Sequence, residues 1–219
     1  MSRLLREEKN GRRALLTKNL TPGKRVYNED LVIREGAEYR TWDPFRSKLA
    51  AAILKGLPDD VVVEGGKVLY LGASTGTTAS HVSDLVGPTG LVVGVEFAPR
   101  VAREFVEHVA RERMNVIPFV ADARDPSKYA VAKVDVVYCD IAQPDQTEIA
   151  LVNCSMLLKK GGTLLLVVKA RSIDVVKDPA KVFEEERAKL EKAGFRVVRA
   201  LELSPFEKDH AMLHAVRRD

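Results

Sequence analysis

After residue 66 the apolar positions fall into short β-type runs at 67–71, 91–97, 116–120, 134–139 and 163–168. Helix-period stretches at 77–86, 99–113, 147–160 and 179–193 separate or follow them. Gly87-Pro88, Gly161-Gly162 and Gly194 stand where three of these helices are expected to stop, since helix ends favour Gly and Pro. Such alternation predicts βαβ units, hence a parallel sheet with helices on both faces. Two further β-type runs, 196–203 and 211–217, are joined only by residues 204–210. No crossover helix fits in that gap, so the pair is expected as an antiparallel hairpin.

The first forty residues read differently. Short β-type runs at 14–16, 26–27 and 31–33 are divided by turn signals at Thr21-Pro22-Gly23 and Asn28-Glu29-Asp30, which predicts a small antiparallel β-module. Trp42-Asp43-Pro44 then leads into an Ala-rich helix over 45–57. The expected fold class is therefore α/β. Five parallel strands and a C-terminal antiparallel hairpin give the strand count of the Rossmann-like sheet of class I methyltransferases, with the small N-terminal antiparallel β-module ahead of it. Dehydrogenase Rossmann domains end instead on a sixth parallel strand. The expected division is 1–57, the β-module with its lead-in helix, and 58–219, the nucleotide-binding domain.

Composition narrows the class. With 46% hydrophobic and 30% charged residues, the chain is that of an ordinary globular protein rather than a disordered one. No apolar run approaches membrane-spanning length, and the first residues lack a secretory pattern. Cys139 and Cys154 lie in apolar patterns without metal-ligand spacing, which reads as reduced core thiols in a cytoplasmic protein. The net charge of +4 is modest. Its distribution is not: Arg3, Arg6, Lys9, Arg12, Arg13, Lys18, Lys24 and Arg25 face only Glu7 and Glu8 in the first 25 residues. A basic end on a nearly balanced body suggests phosphate contact, and a solvated face is the alternative.

Candidate chemistry begins at Val68-Leu69-Tyr70-Leu71-Gly72-Ala73-Ser74-Thr75-Gly76-Thr77-Thr78, a strand, a glycine turn and a helix start. Such a turn allows close approach of a ligand and leaves N–H groups free at the helix mouth. The usual middle glycine is replaced by Ser74. Glu96 ends the next strand, twenty residues after Gly76, where a carboxylate can accept both ribose hydroxyls. Phe97 can stack on an adenine, and Asp122, at the third strand end, can take its amino group. Gly72-Ala73-Ser74-Thr75-Gly76 also fits the G-x-S-x-G elbow of hydrolases, with Asp140 and His210 following in order. Against that, the elbow sits on the first parallel strand, no oxyanion segment precedes it, and the Glu96 spacing is left unexplained.

In a doubly wound sheet the parallel strands aim their C-terminal ends at one edge, where ligands bind. Asp140 ends the fourth strand and Lys169 the fifth, while the final strand runs back so that His210 returns to that edge. Lys48, on the helix ahead of the first strand, can join them. Methylating a weakly acidic hydroxyl needs a proton acceptor and a carboxylate to orient it, which this set supplies. His210 and His214 lack the further ligands a metal site needs, and His81 and His108 read as ordinary helix residues.

Five segments are distinctive. They are Trp42-Asp43-Pro44-Phe45-Arg46-Ser47-Lys48-Leu49-Ala50-Ala51, the Gly72 to Thr78 turn, Val95-Glu96-Phe97, Asp140-Ile141-Ala142-Gln143-Pro144-Asp145-Gln146 and Lys208-Asp209-His210-Ala211. Together they resemble the fibrillarin family of ribose 2′-O-methyltransferases, from about residue 10 to the C-terminus. The resemblance implies S-adenosyl-L-methionine as cofactor and a catalytic set on Lys48, Asp140, Lys169 and His210. It implies cofactor contacts at Thr77, Thr78, Glu96, Phe97, Asp122, Ala123, Asp140, Ile141, Ala142 and Gln143, beside the Gly72, Ala73 and Gly76 turn. It further implies rRNA and tRNA targets chosen by a box C/D guide RNA, with a Nop-type scaffold protein and a kink-turn-binding ribosomal-type protein as partners. The Gly/Arg-rich N-terminal region of eukaryotic members is absent, which points to the archaeal form. A stand-alone methyltransferase of the same fold, or a non-catalytic RNA-binding subunit, are the competing readings.

Overall fold

The computed structural model describes residues 3–9, 11–130 and 132–218. Four strands, β1 (Leu4–Lys9), β2 (Arg12–Lys18), β3 (Leu31–Arg34) and β4 (Ala37–Trp42), form an antiparallel sheet in the order β1-β2-β4-β3. Helix α1 (Lys48–Leu54) follows, with Ser47 as its N-cap. The main sheet then builds from β5 (Lys67–Leu71), α2 (Thr77–Val86), β6 (Leu91–Glu96), α3 (Pro99–Phe105), β7 (Val116–Val120), β8 (Val134–Cys139) and α4 (Gln146–Leu157). It is completed by β9 (Leu158–Lys169), the single-turn α5 (Ala170–Ile173), α6 (Pro179–Lys192), β10 (Phe195–Glu202) and β11 (His210–Arg217). The spatial order is β10-β11-β9-β8-β5-β6-β7. Only β11 runs against the others, pairing antiparallel with both β9 and β10.

Period-2 side-chain alternation divides the sheet into two buried faces. Val68, Tyr70, Val92, Val136, Tyr138, Leu165 and Val167 face a core closed by α1, α2 and α3, which Leu15 and Trp42 of the small sheet also enter. Leu69, Leu71, Val93, Val95, Val137, Cys139, Leu164 and Leu166 face a second core under α4 and α6. Both cysteines are buried and free, and burial pushes the Cys139 thiol up to about 12, so it stays protonated.

Several boundaries differ from the sequence reading. Residues 26–27 form no strand: the Glu29 carboxylate accepts the Val26 and Tyr27 N–H groups and holds a local turn instead. The strand-bearing segments β1 and β4 were hidden by their charges. Helix α4 stops at Leu157, not at 160, because Leu158 turns extended, buries its side chain and pairs with Val134. Gly161 and Gly162 thus lie inside β9 rather than at a helix end. The expected single helix over 99–113 is α3 continued by a π-helical turn at Val106–Ala110.

His81 is no ordinary helix residue. It is fully buried, stacked on Trp42 at 4.8 Å, with Nδ1 2.7 Å from the Thr17 hydroxyl and Nε2 2.6 Å from that of Tyr27. Next to it, Asp84 gathers Arg40, Arg113, Thr17 and the Leu20 N–H. Arg40 also pairs with Glu29 at 2.6 Å. This buried network ties the small sheet to α2. Nearer the surface, three residues of the basic N-terminal segment are also paired, Arg3 with Glu64, Arg6 with Asp59 and Lys24 with Glu112. Part of the charge expected to meet phosphate is therefore ion-paired within the fold.

Candidate active site

At the C-terminal edge of the parallel strands lies a cavity of about 300 Å³, the lower end of the range of small-molecule sites. Gly72, Glu96, Phe97, Asp122, Ala123, Asp140, Ile141, Ala142 and Gln143 line it, as the sequence predicted. Ala73, Gly76, Thr77 and Thr78 do not. Gly76 is needed for packing: a Cβ there would sit 2.5 Å from Val109 and 2.6 Å from Phe105. Thr78 is buried and donates to the Ser47 hydroxyl at 2.9 Å, linking the turn to the cap of α1.

Ser74 explains how the turn manages without its usual middle glycine. It adopts φ +51°, a conformation unfavourable for a side chain, and its N–H donates to Glu96 Oε2 at 2.9 Å. The other Glu96 oxygen accepts the Ala98 N–H at 3.0 Å. Each carboxylate oxygen keeps a lone pair, so Glu96 can still accept two hydroxyl hydrogens. Phe97 is 69% exposed, an aromatic face left open at the cavity rim. Asp122 accepts the Arg124 N–H through Oδ1, and Oδ2 takes no part in that bond.

Arg124 was missed by sequence reasoning. Its guanidinium pairs with Asp145 at 2.7 Å and donates to the Gln143 side chain at 3.1 Å, joining two loops over the cavity. Ser74, Val95, Ala121 and Ile149 are further wall residues not anticipated. Gln146 was missed in a different way: buried, it accepts the Lys169 N–H at 3.3 Å and donates to the Gln143 carbonyl at 3.1 Å. The only sequence signal for it was its place in the Asp140 to Gln146 segment.

Three of the four polar residues expected at this edge meet through their side chains, and His210 stands next to Lys169 in the sheet. The Asp140 backbone N–H donates to Leu71 C=O at 2.9 Å, which fixes the β8 end against β5. Lys169 Nζ lies 2.8 Å from Asp140 Oδ1 and donates to the Asp140 carbonyl at 2.9 Å. Lys48 Nζ approaches Oδ2 at 3.4 Å. His210 pairs in register with Lys169 across β11 and β9, and its Nδ1 lies 2.7 Å from the Lys208 carbonyl. That contact makes Nδ1 the protonated nitrogen and leaves Nε2 as an acceptor. Below the cluster, burial keeps the hydroxyls of Tyr70 and Tyr138 protonated, with the nearby Asp140 charge adding to the effect. Asp140 and Lys169 belong to both the cavity wall and the polar cluster, so the two sites are continuous.

Sheet order, glycine turn and strand-end carboxylates together define a Rossmann-type methyltransferase of class I. The chain belongs to the fibrillarin family, whose profile matches residues 4–219. It is similar to the fibrillarin-like rRNA/tRNA 2′-O-methyltransferase of Sulfurisphaera tokodaii, 55% identical over 203 residues, covering 92% of this chain and 87% of the relative. Among solved structures it is similar to Aeropyrum pernix fibrillarin with natively bound S-adenosyl-L-methionine (TM-score 0.87, 44% identity, 99% of this chain and 100% of that one). It is similar also to a chain of a fibrillarin/Nop5p complex (TM-score 0.86, 39% identity, 99% of each chain).

The cavity fits that methyl donor: a carboxylate with free lone pairs for a ribose, an open aromatic face, and a strand-end acid for an amino group. Glu96→Ala is expected to weaken S-adenosylmethionine binding by about 1–3 kcal/mol, the range for lost charge-assisted hydrogen bonds. Calorimetry on the folded variant checks it, and wild-type affinity would remove Glu96 from the site.

Proposed function

We propose that this chain methylates ribose 2′-oxygens of rRNA, and of tRNA, as the catalytic subunit of a box C/D guide ribonucleoprotein. The observation that carries the reading is the Lys48–Asp140–Lys169 cluster, with His210 beside it, opening directly onto the nucleotide cavity. Glu96, Phe97, Asp122, Ala123 and the Asp140 to Gln143 segment hold S-adenosylmethionine. When bound, it supplies an electrophilic methyl group for bond formation with the 2′-oxygen, the sulfur keeping the electron pair.

The protein's share is position and proton removal. Lys169, on the cavity wall, accepts the hydroxyl proton after releasing its own ammonium proton to solvent, and Asp140 orients both lysines and the hydroxyl. His210 Nε2 serves as a further acceptor at the same edge. Residues 58–219 form the catalytic unit, and residues 1–57 a module docked on it.

Target choice lies outside the chain. Two sheets and their helices account for the described residues, and none forms an RNA-reading module of the RRM, KH or OB type. Phosphate contacts alone carry no sequence information. The Nop5p complex of a 39% identical chain supports a Nop-type scaffold here, and the guide RNA and a kink-turn-binding protein complete the particle. A cytoplasmic location goes with this reading and with two buried, free thiols; among the described residues no helix is long and apolar enough to cross a membrane. Reconstitution tests the reading. Methylation of one ribose should need guide and both proteins, and should move when the guide sequence is changed. Equal methylation of the same ribose by the protein alone would establish a stand-alone enzyme instead.

A further inference from the structure

Glu207 lies in the loop between β10 and β11, off the cavity wall. One of its carboxylate oxygens is 3.9 Å from Lys48 Nζ, and the other is 3.8 Å from His210 Nδ1. The loop around it is held from two sides. From the α1 side, Lys55 donates to the Ser204 carbonyl at 2.9 Å, and Phe45 meets the Phe206 ring edge-on at 5.2 Å. From the β9 side, the Ala170 N–H donates to the Asp209 carbonyl at 3.1 Å, and Arg171 pairs with the Asp209 carboxylate at 3.1 Å. A half-buried carboxylate on so anchored a loop is not a free surface charge.

The charge count gives it work. Two ammonium groups share Asp140, and Lys169 holds the nearer position, 2.8 Å against 3.4 Å for Lys48. With one carboxylate between them the two cations repel. A second carboxylate beside Lys48 balances two positive charges with two negative ones and adds its attraction to that of Asp140. Because its other oxygen reaches His210, the same side chain relates Lys48 to His210.

We propose that Glu207 is a positioning residue for methyl transfer, acting through Lys48 and His210 rather than on the methyl donor. The inference rests on the 2′-O-methyltransferase reading above. In the reconstituted particle, Glu207→Gln, which keeps shape and removes charge, should lower the single-turnover rate at saturating S-adenosylmethionine and RNA by about 10-fold. Binding of both, and the melting temperature, should stay at wild-type values. Glu207→Asp, which restores the charge on a shorter arm, should recover part of the rate. In a Lys48→Ala background the Glu207→Gln loss should shrink, as expected of groups acting together. A wild-type rate in Glu207→Gln, no recovery by Asp, or fully additive losses would overturn the assignment. A readout without turnover separates this from failure of the reaction itself: the side-chain nitrogen resonances of His210 and Lys48 should move in Glu207→Gln while those of His81 do not. Should the wild-type particle leave the guided ribose unmethylated, unmoved resonances would still reject Glu207, and shifted ones would still support its contacts.

Discussion

Asp140→Ala and Lys169→Ala are each expected to lower methyl transfer by roughly 100-fold or more, the scale for losing proton transfer and its positioning together. The geometry makes the two losses different in kind. Asp140 receives Lys169 on one oxygen and Lys48 on the other, so its removal leaves two ammonium groups facing each other without a counter-charge. It also lines the cavity, and cofactor affinity should fall with it. Lys169→Ala is the cleaner variant, because the Asp140 backbone remains pinned to Leu71 and the Glu96 end of the cavity is untouched. Rapid-quench measurement of one turnover, beside calorimetry with S-adenosylmethionine, separates the two. Full single-turnover activity in Lys169→Ala would rule out its role as proton acceptor.

The site was legible where topology alone fixes position. Parallel strands must present Glu96, Asp122, Asp140 and Lys169 at one edge, and the reversed last strand must bring His210 back to it. No detailed packing enters that deduction. What escaped was whatever depends on which way a loop side chain turns. Arg124 resembles any exposed arginine until Asp145 and Gln143 are seen across the cavity. Glu207 precedes a recognised motif but acquires its neighbours only through the fold of a loop. At Gly76 and Thr78 the turn has a packing task that the sequence did not reveal: it seats α2 against the π-helical turn and α1.

The same division holds for the fold. The central strands of the main sheet, β5, β6, β8, β11 and the second half of β9, are buried on both faces, so their sequences are apolar runs that cannot be mistaken for solvent-facing loops. The small sheet is different. In β4, Tyr39, Arg40 and Trp42 are all buried, and a buried arginine inside a short strand erases the apolar signal. Its burial is sensible only once Glu29 and Asp84 are known to receive it, and both come from elsewhere in the chain.

Asp84 therefore carries the largest expected stability effect. Its two oxygens accept from Arg113 at 2.5 Å, Arg40 at 2.8 Å and Thr17 at 2.9 Å, all buried, and from the Leu20 N–H at 3.0 Å. Asp84→Ala leaves two buried arginines with one carboxylate, that of Glu29, between them, and uncompensated buried charge of this kind costs about 3–5 kcal/mol. For a chain of this length that corresponds to a fall in melting temperature of about 10 °C. Replacing Arg40 and Asp84 together by apolar residues should cost less than Asp84→Ala alone, because no charge is then stranded. Acid acts on the same joint through His81, which burial first, and then Arg40 and Arg113, hold far below its usual pKa. The unfolded chain takes up a proton there below about pH 6.5 and the folded chain does not, so stability should fall with pH at about 1.4 kcal/mol per unit. His81→Gln should flatten that slope. Thermal melts of the three variants between pH 5 and 8 measure both effects, and a wild-type melting temperature in Asp84→Ala would show that the network does not hold the N-terminal module to the catalytic sheet.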